Sequence, residues 1–269
     1  GKLVEKGKSK FVGHEITGKM LGVIGLGAIG VAVANAAYGL NMEVMGTDPY
    51  LSTMNALALS PHINIVPERD DIYKKADFIT LHLPLNGDTR GMINAKSIAA
   101  MKDGVVIINN SRGELVNTAD MIAALESGKV GRYITDFPSD ELIGVKNCIC
   151  VPHLGASTPE AEDNCAVMAA HELVDYIENG NITNSVNYPS VYLARDEEKG
   201  RVCILHRNVK NIITKFTSAI SGQGINIAHM ASSSRGEYAC SILEIDGAVA
   251  EKTIAEIRAV EGVLRVRAV

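Results

Sequence analysis

The stretch Lys19-Met-Leu-Gly-Val-Ile-Gly25-Leu-Gly27-Ala-Ile-Gly30 decides how this chain is read. Its first half is a short apolar run of the kind that forms a buried strand, Met20–Gly25. An amphipathic helix is predicted from Ala28 to Leu40. The three glycines fall as G-x-G-x-x-G between strand and helix, which is the context that gives this otherwise weak pattern its meaning. Gly25 suits a tight turn, Gly27 lets the backbone approach a pyrophosphate, and Gly30 allows close helix–strand packing. The N-terminus of the helix then offers unpaired N–H groups to phosphate. Asp48 follows Gly30 by 48 − 30 = 18 residues, at the end of the next predicted strand, Glu43–Asp48. An acid at that place accepts hydrogen bonds from ribose hydroxyls. No Lys or Arg lies between Pro49 and Glu68 to neutralise a 2′-phosphate, so NAD is expected rather than NADP.

The same segment invites a competing reading, because no charged residue occurs from Met20 to Met42. Five glycines (22, 25, 27, 30 and 39) and the polar Asn35, Tyr38 and Asn41 argue against a membrane span. A length of 269 residues predicts two domains. The composition, 46% hydrophobic and 21% charged, is that of a globular protein. A net charge of −5 gives no general attraction for nucleic acid or anionic lipid. The five cysteines are odd in number and lack C-x-x-C spacing, so neither a disulfide framework nor structural zinc is expected, and a reducing cytoplasmic setting fits.

Outward from the glycine turn, short apolar strands alternate with helices. Strands are predicted at 77–83, 105–109, 133–135 and 148–151, and helices at 95–101, 118–127 and 159–178. This alternation predicts a doubly wound, parallel α/β sheet of Rossmann type, covered on both faces. The Lys-rich residues 1–19 read as a solvated strap, 20–153 as the dinucleotide-binding domain, and 154–188 as a returning helix and linker. Residues 199–269 read strand, helix, strand, strand, helix, strand, the ferredoxin-like α+β order.

Three predicted strands end in polar clusters: Asn109-Asn-Ser-Arg112-Gly113, Thr135-Asp136-Phe-Pro-Ser-Asp-Glu141 and Val151-Pro-His153-Leu-Gly155-Ala156. Ligands of open α/β sheets bind outside the carboxyl ends of the strands, so Arg112, His153 and either Asp136 or Glu141 are expected to share a crevice. An Arg offers a planar fork to a carboxylate. A His accepts the hydroxyl proton as hydride leaves carbon, and a carboxylate beside it fixes its tautomer. These types suit oxidation of a hydroxy acid.

At these residues the sequence resembles the NAD-dependent D-2-hydroxyacid dehydrogenase family, and more narrowly its phosphoglycerate branch. Asn109-Asn-Ser-Arg112-Gly113 matches the family pattern N-x-[AS]-R-G. The family's catalytic Glu follows that Arg by 29 residues, and 141 − 112 = 29. Pro152-His153-Leu-Gly-Ala-Ser-Thr-Pro-Glu160-Ala matches its His segment. The resemblance implies Arg112 as carboxylate binder, His153 as base and Glu141 as its partner. It further implies NAD contacts at Ala28, Ile29, Leu83, Pro84, Asn110, Ser111, Arg112, Asp136, His153, Gly155 and Ala156, with a small phosphorylated hydroxy acid as substrate. Two departures stand out. Phe137-Pro138 replaces the usual aliphatic–Phe pair after Asp136, and Leu142 replaces the Pro customary after Glu141. The family also begins with a lid of about one hundred residues, whereas here the glycine fingerprint starts at residue 25, so the chain is expected to be a lid-less fragment, with 1–19 as the strap from that missing domain, that binds NAD but turns over poorly.

Residues 201–269 resemble ACT regulatory modules. That resemblance implies L-serine as an effector held by His206, Asn208 and Asn226, and a homodimer or homotetramer. Lys210-Asn211 replaces the usual Pro-Gly there, and helix capping by His206 and Asn208 is the competing expectation. A dehydrogenase of another D-2-hydroxy acid and a non-catalytic NAD(H)-sensing module are the alternative functions.

Overall fold

The computed structural model describes residues 1–269, apart from the side chain of Phe11. The chain forms two compact units, 1–155 and 156–269.

The first unit opens with a short helix α1 (Lys2–Gly7), which buries none of its residues. Strand β1 (Met20–Ile24) runs into α2 (Ala28–Gly39), then β2 (Glu43–Thr47), α3 (Thr53–Ala58), β3 (Asn64–Ile65) and α4 (Arg69–Lys75). The second half alternates β4 (Phe78–Leu81), α5 (Ala95–Ala99), β5 (Val105–Asn109), α6 (Thr118–Ser127), β6 (Val130–Thr135) and β7 (Cys148–Cys150). The seven strands are parallel, in the order β3-β2-β1-β4-β5-β6-β7. The predicted parallel sheet is therefore present. Its uncharged 20–42 segment is β1 and α2, and no helix among the described residues is long and apolar enough to cross a membrane.

Burial follows from the pleat, which points successive side chains to opposite faces. Leu21 and Val23 of β1 join Val31, Ala34 and Val44 in one apolar cluster. Ile24 joins Ile79, Leu81, Ile107, Met121 and Tyr133 in the other. The amino ends of the strands are fastened by charge. Asp77 accepts from the Met20 N–H and from Lys102 Nζ, 2.8 and 2.9 Å. Lys129 Nζ reaches Asp103 at 2.7 Å.

The second unit begins with α7 (Pro159–Asn179), capped by the Thr158 hydroxyl and closed by Gly180 in the left-handed conformation. The remaining order is β8 (Lys199–Arg207), α8 (Ile212–Ser221), β9 (Ile227–Arg235), β10 (Tyr238–Asp246), α9 (Glu251–Arg258) and β11 (Val263–Ala268). The strands form an antiparallel sheet, β11-β8-β10-β9, which is the predicted βαββαβ order. Helices α8 and α9 cover one face through Phe216, Ile220, Ile254 and Ile257. The other face is covered by residues of the expected returning helix and linker, 154–188, and of the segment just after it. Ile182 and Val191 pair with each other and pack with Tyr176 and Tyr188 on Cys203, Cys240 and Ile242. The connection is thus a layer of the second core rather than a bare tether.

Candidate active site

Strand order locates the crevice. From β1 the chain steps outward through β2 and β3, then returns to place β4 on the other side of β1. The loops after β1 and β4 consequently diverge and leave an opening at the carboxyl end of the sheet. A hollow of about 350 Å³ lies there, lined by Gly27, Ala28, Ile29, Gly30, His82, Leu83, Pro84, Asn110, Ser111 and Arg112. Nine of these ten were expected from the sequence; His82 was not.

Two glycines make this opening possible. Gly25 has φ +97°, and a Cβ there would lie 2.2 Å from the His82 carbonyl oxygen. A Cβ on Gly30 would lie 1.9 Å from the Gly25 oxygen, so α2 sits closer to the turn than any side chain permits. Gly27 faces open space instead, as the backbone beside a pyrophosphate must. Asp48 locks the turn: Oδ2 accepts from the Leu26 N–H and Oδ1 from the Tyr50 N–H, both at 2.8 Å. Each carboxylate oxygen keeps a lone pair for a ribose hydroxyl. His82, at the end of β4, lies 3.0 Å from the Thr80 hydroxyl, and burial pushes its imidazole below the usual range. It is an uncharged wall of the hollow. Its only sequence signal was its place before Leu83-Pro84.

The loop after β5 is held from beneath. Buried Asn109 donates to the Arg112 carbonyl at 2.9 Å and to Tyr133 Oη at 3.3 Å, and accepts from the Ser111 N–H. Arg112 itself is exposed. Its Nη1 donates to the Ser111 carbonyl, and its guanidinium carbon lies 5.7 Å from the centre of the Phe137 ring. The His153 ring meets the same Phe137 at 4.4 Å between centroids, edge-on. The predicted Arg and His therefore converge, on one aromatic ring.

The carboxylate beside the imidazole is Asp136. His153 Nδ1 lies 3.2 Å from Asp136 Oδ2, with the Asp side chain 10% exposed and the His 57%. A carboxylate only accepts, so Nδ1 carries the proton and Nε2 is left as the basic atom. The resemblance implied Glu141 as that partner, whereas the carboxylate against the imidazole in this structure is Asp136. Glu141 is exposed and accepts from the Ser139 hydroxyl at 2.9 Å. It stands in a 3-10 turn, 140–142, oriented by the burial of Leu142. Asp136 Oδ1 is buried without a hydrogen-bond partner. The amide N–H₂ of a nicotinamide is a donor of the kind this atom lacks, so the residues present fit NAD, which supplies the hydride acceptor when bound. Gly155 and Ala156 lie on the exposed turn after His153 and fall on either side of the boundary between the units.

The second unit treats its predicted ligands differently. His206 is 2% exposed, with Nδ1 2.9 Å from the Arg207 carbonyl and Nε2 3.0 Å from the Ser241 hydroxyl. Both nitrogens are thus engaged within the chain, and His206 and Asn208 line one hollow of about 360 Å³. The competing capping expectation also falls, because Asn211 is the N-cap of α8 and no side chain caps it. Asn208 donates to the Gly236 carbonyl. His206 pairs in register with Ala239, whereas Asn226 bonds to Asp246 at the far end of β10. One chain therefore does not bring His206 and Asn226 together. Asp196, His229 and Glu244 place one ligating atom each within 4.8 Å, but the Glu244 carboxylate is already engaged by Arg201.

A dinucleotide turn, a guanidinium and a carboxylate-bound imidazole thus share the rim where the strands of the parallel sheet end. Residues 1–155 match the family model described as D-isomer specific 2-hydroxyacid dehydrogenase, NAD binding domain. The chain belongs to that family, and NAD is its cofactor. It is 33% identical over 254 residues to D-3-phosphoglycerate dehydrogenase 2 of Saccharomyces cerevisiae, covering 86% of this chain and 53% of that one. It is 32% identical over 266 residues to D-3-phosphoglycerate dehydrogenase of Escherichia coli, covering 94% and 63%. Among solved structures it is similar to the NAD-complexed D-isomer specific 2-hydroxyacid dehydrogenase of Lactobacillus delbrueckii ssp. bulgaricus. There the TM-score is 0.57 and the identity 26%, over 66% of this chain and 58% of that one. The chain spans between half and two thirds of the length of the curated relatives it matches.

Proposed function

We propose that this chain carries the coenzyme-binding and catalytic groups of a dehydrogenase acting on 3-phospho-D-glycerate, giving 3-phosphohydroxypyruvate at the entry to L-serine synthesis. The observation that carries the reading is the convergence of Arg112 and the Asp136–His153 pair beside the dinucleotide hollow. Arg112 holds the substrate carboxylate by its two-pronged fork. His153 Nε2 accepts the proton of the C2 hydroxyl while the C2 hydride passes to NAD. The C–H bond breaks as the carbonyl forms, and the imidazolium that results is stabilised by Asp136. The choice of a phosphorylated substrate rests on the names of the relatives and on the His153 segment.

Steady-state turnover with NAD decides the matter, using 3-phospho-D-glycerate beside D-glycerate and D-lactate. A preference for the phosphorylated acid supports the proposal. Preference for another acid would change the substrate but keep the chemistry. NAD binding with no turnover of any acid would favour a non-catalytic sensing module.

A further inference from the structure

Phe137 interrupts the family pattern, and the structure puts it where the two reacting side chains meet. Its ring centre lies 5.7 Å from the Arg112 guanidinium carbon and 4.4 Å from the centre of the His153 imidazole. Neither neighbour is otherwise well fixed. Arg112 is exposed and its guanidinium has a single hydrogen bond, to a carbonyl of its own loop. His153 is held at Nδ1 alone, by Asp136. A long Arg side chain in that condition samples many rotamers, and ordering it on binding lowers affinity. An aromatic face attracts a guanidinium and limits that freedom before a ligand arrives.

The ring is itself held in place. The Phe137 N–H donates to the Thr135 hydroxyl at 3.0 Å. Pro138 follows, which confines the backbone of the preceding residue to extended conformations. Opposite it stands Gly113, where a Cβ would lie 3.3 Å from the Phe137 oxygen and 3.4 Å from its Cβ. The absent side chain at 113 lets the Arg112 loop and the Phe137 loop close on each other. Sequence departure, proline and glycine thus act on one ring.

We propose that Phe137 is a positioning residue: its ring sets the separation and orientation of the carboxylate-binding guanidinium of Arg112 and the proton-accepting imidazole of His153. The inference rests on the roles given to those two residues above. It adds that when the imidazole gains its proton, the one ring lies beside both cations and offsets part of their repulsion.

The test compares the 269-residue chain with its Phe137→Leu and Phe137→Tyr variants, all saturated with NADH. The first readout is nuclear magnetic resonance of the His153 ring protons and the Arg112 Nε–H, assigned with His153→Asn and Arg112→Lys. Phe137→Leu moves both sets toward the values of solvent-exposed side chains, and Phe137→Tyr keeps them. The second readout is the split between KM and kcat with NAD and 3-phospho-D-glycerate. Phe137→Leu raises KM by about tenfold, a larger change than it makes in kcat, and Phe137→Tyr restores it. Melting temperature and NAD affinity stay level. Unmoved resonances in Phe137→Leu overturn the proposal. So does a parallel loss of NAD affinity and melting temperature, which marks a purely structural ring. If the wild-type chain turns over no hydroxy acid, the kinetic readout moves to a chain with the lid restored, where absent turnover sinks the functional reading, and the resonances alone decide this inference.

Discussion

Arginine, histidine and carboxylate are brought into place twice in this chain, and the two units treat them in opposite ways. At the strand ends of the first unit, Arg112 is exposed, His153 keeps Nε2 uncommitted, and Asp136 retains a buried oxygen without a donor. Inside the second unit, Arg201 is 0% exposed and spends its donors on Glu244, the Asn179 carbonyl and the Ala194 carbonyl. His206 has both nitrogens engaged. The lesson is that residue type says little without its hydrogen-bond partners. Polar groups with capacity to spare do chemistry, whereas satisfied ones define a core.

That contrast is open to direct attack. The largest effect is expected at the open site. His153→Asn should lower turnover by about 10²–10⁴-fold while leaving NAD affinity in place, as read by kinetics and by NADH fluorescence. In the closed cluster, Arg201→Met leaves a buried carboxylate without its cation. It should cost about 3–5 kcal/mol in chemical denaturation of the second unit, with NAD binding unaffected.

Acid should reach the same cluster. Burial pushes the Glu244 carboxyl up, but the Asp196 N–H and the Arg201 guanidinium together outweigh it and hold it below the usual range. A folded-state value below the unfolded one means stability that is present at neutral pH. It is lost as the pH falls from the ordinary Glu range through the lowered folded value. Arg201→Met should flatten that acid limb.

Smaller effects sharpen the boundary between the two treatments. Gly30→Ala drives a methyl into the Gly25 carbonyl. A cost of about 1–3 kcal/mol is expected, with NAD affinity falling alongside, as calorimetry will show. Ser241→Ala removes one partner of His206 Nε2 and should cost about 1–3 kcal/mol at most, without change in turnover. If Ser241→Ala instead altered kinetics, the second unit would not be the inert counterpart drawn here.

How far the sequence went follows the same division. Strand β1, the glycine turn and α2 were legible because backbone geometry demands glycine there. The βαββαβ order was legible because each element alternates cleanly. Residues 49–76 were not: α3, β3 and α4 are short, β3 has only two residues, and Pro49, Pro61 and Pro67 break the pattern. Helix α8 begins at Ile212 rather than Val209, because Asn211 takes φ +63° and stops any earlier turn. The residues by themselves left Asp136 and Glu141 both open as the acid beside His153, and the resemblance pointed to Glu141. The satisfaction of His206 depends on Ser241, 35 residues away on a neighbouring strand, and no local pattern announces it.

The parallel sheet of the first unit has two rims with different duties. Every group assigned to chemistry lies on the rim where strands end. The opposite rim carries Asp77 with Lys102, and Asp103 with Lys129, where strands begin. A five-residue strand separates the rims by roughly 15 Å. A dye or affinity handle grafted onto the Lys102–Gly104 turn would therefore report on folding from a side with no path to the coenzyme. Added salt that screens those ion pairs should soften that rim while the reacting one keeps its shape.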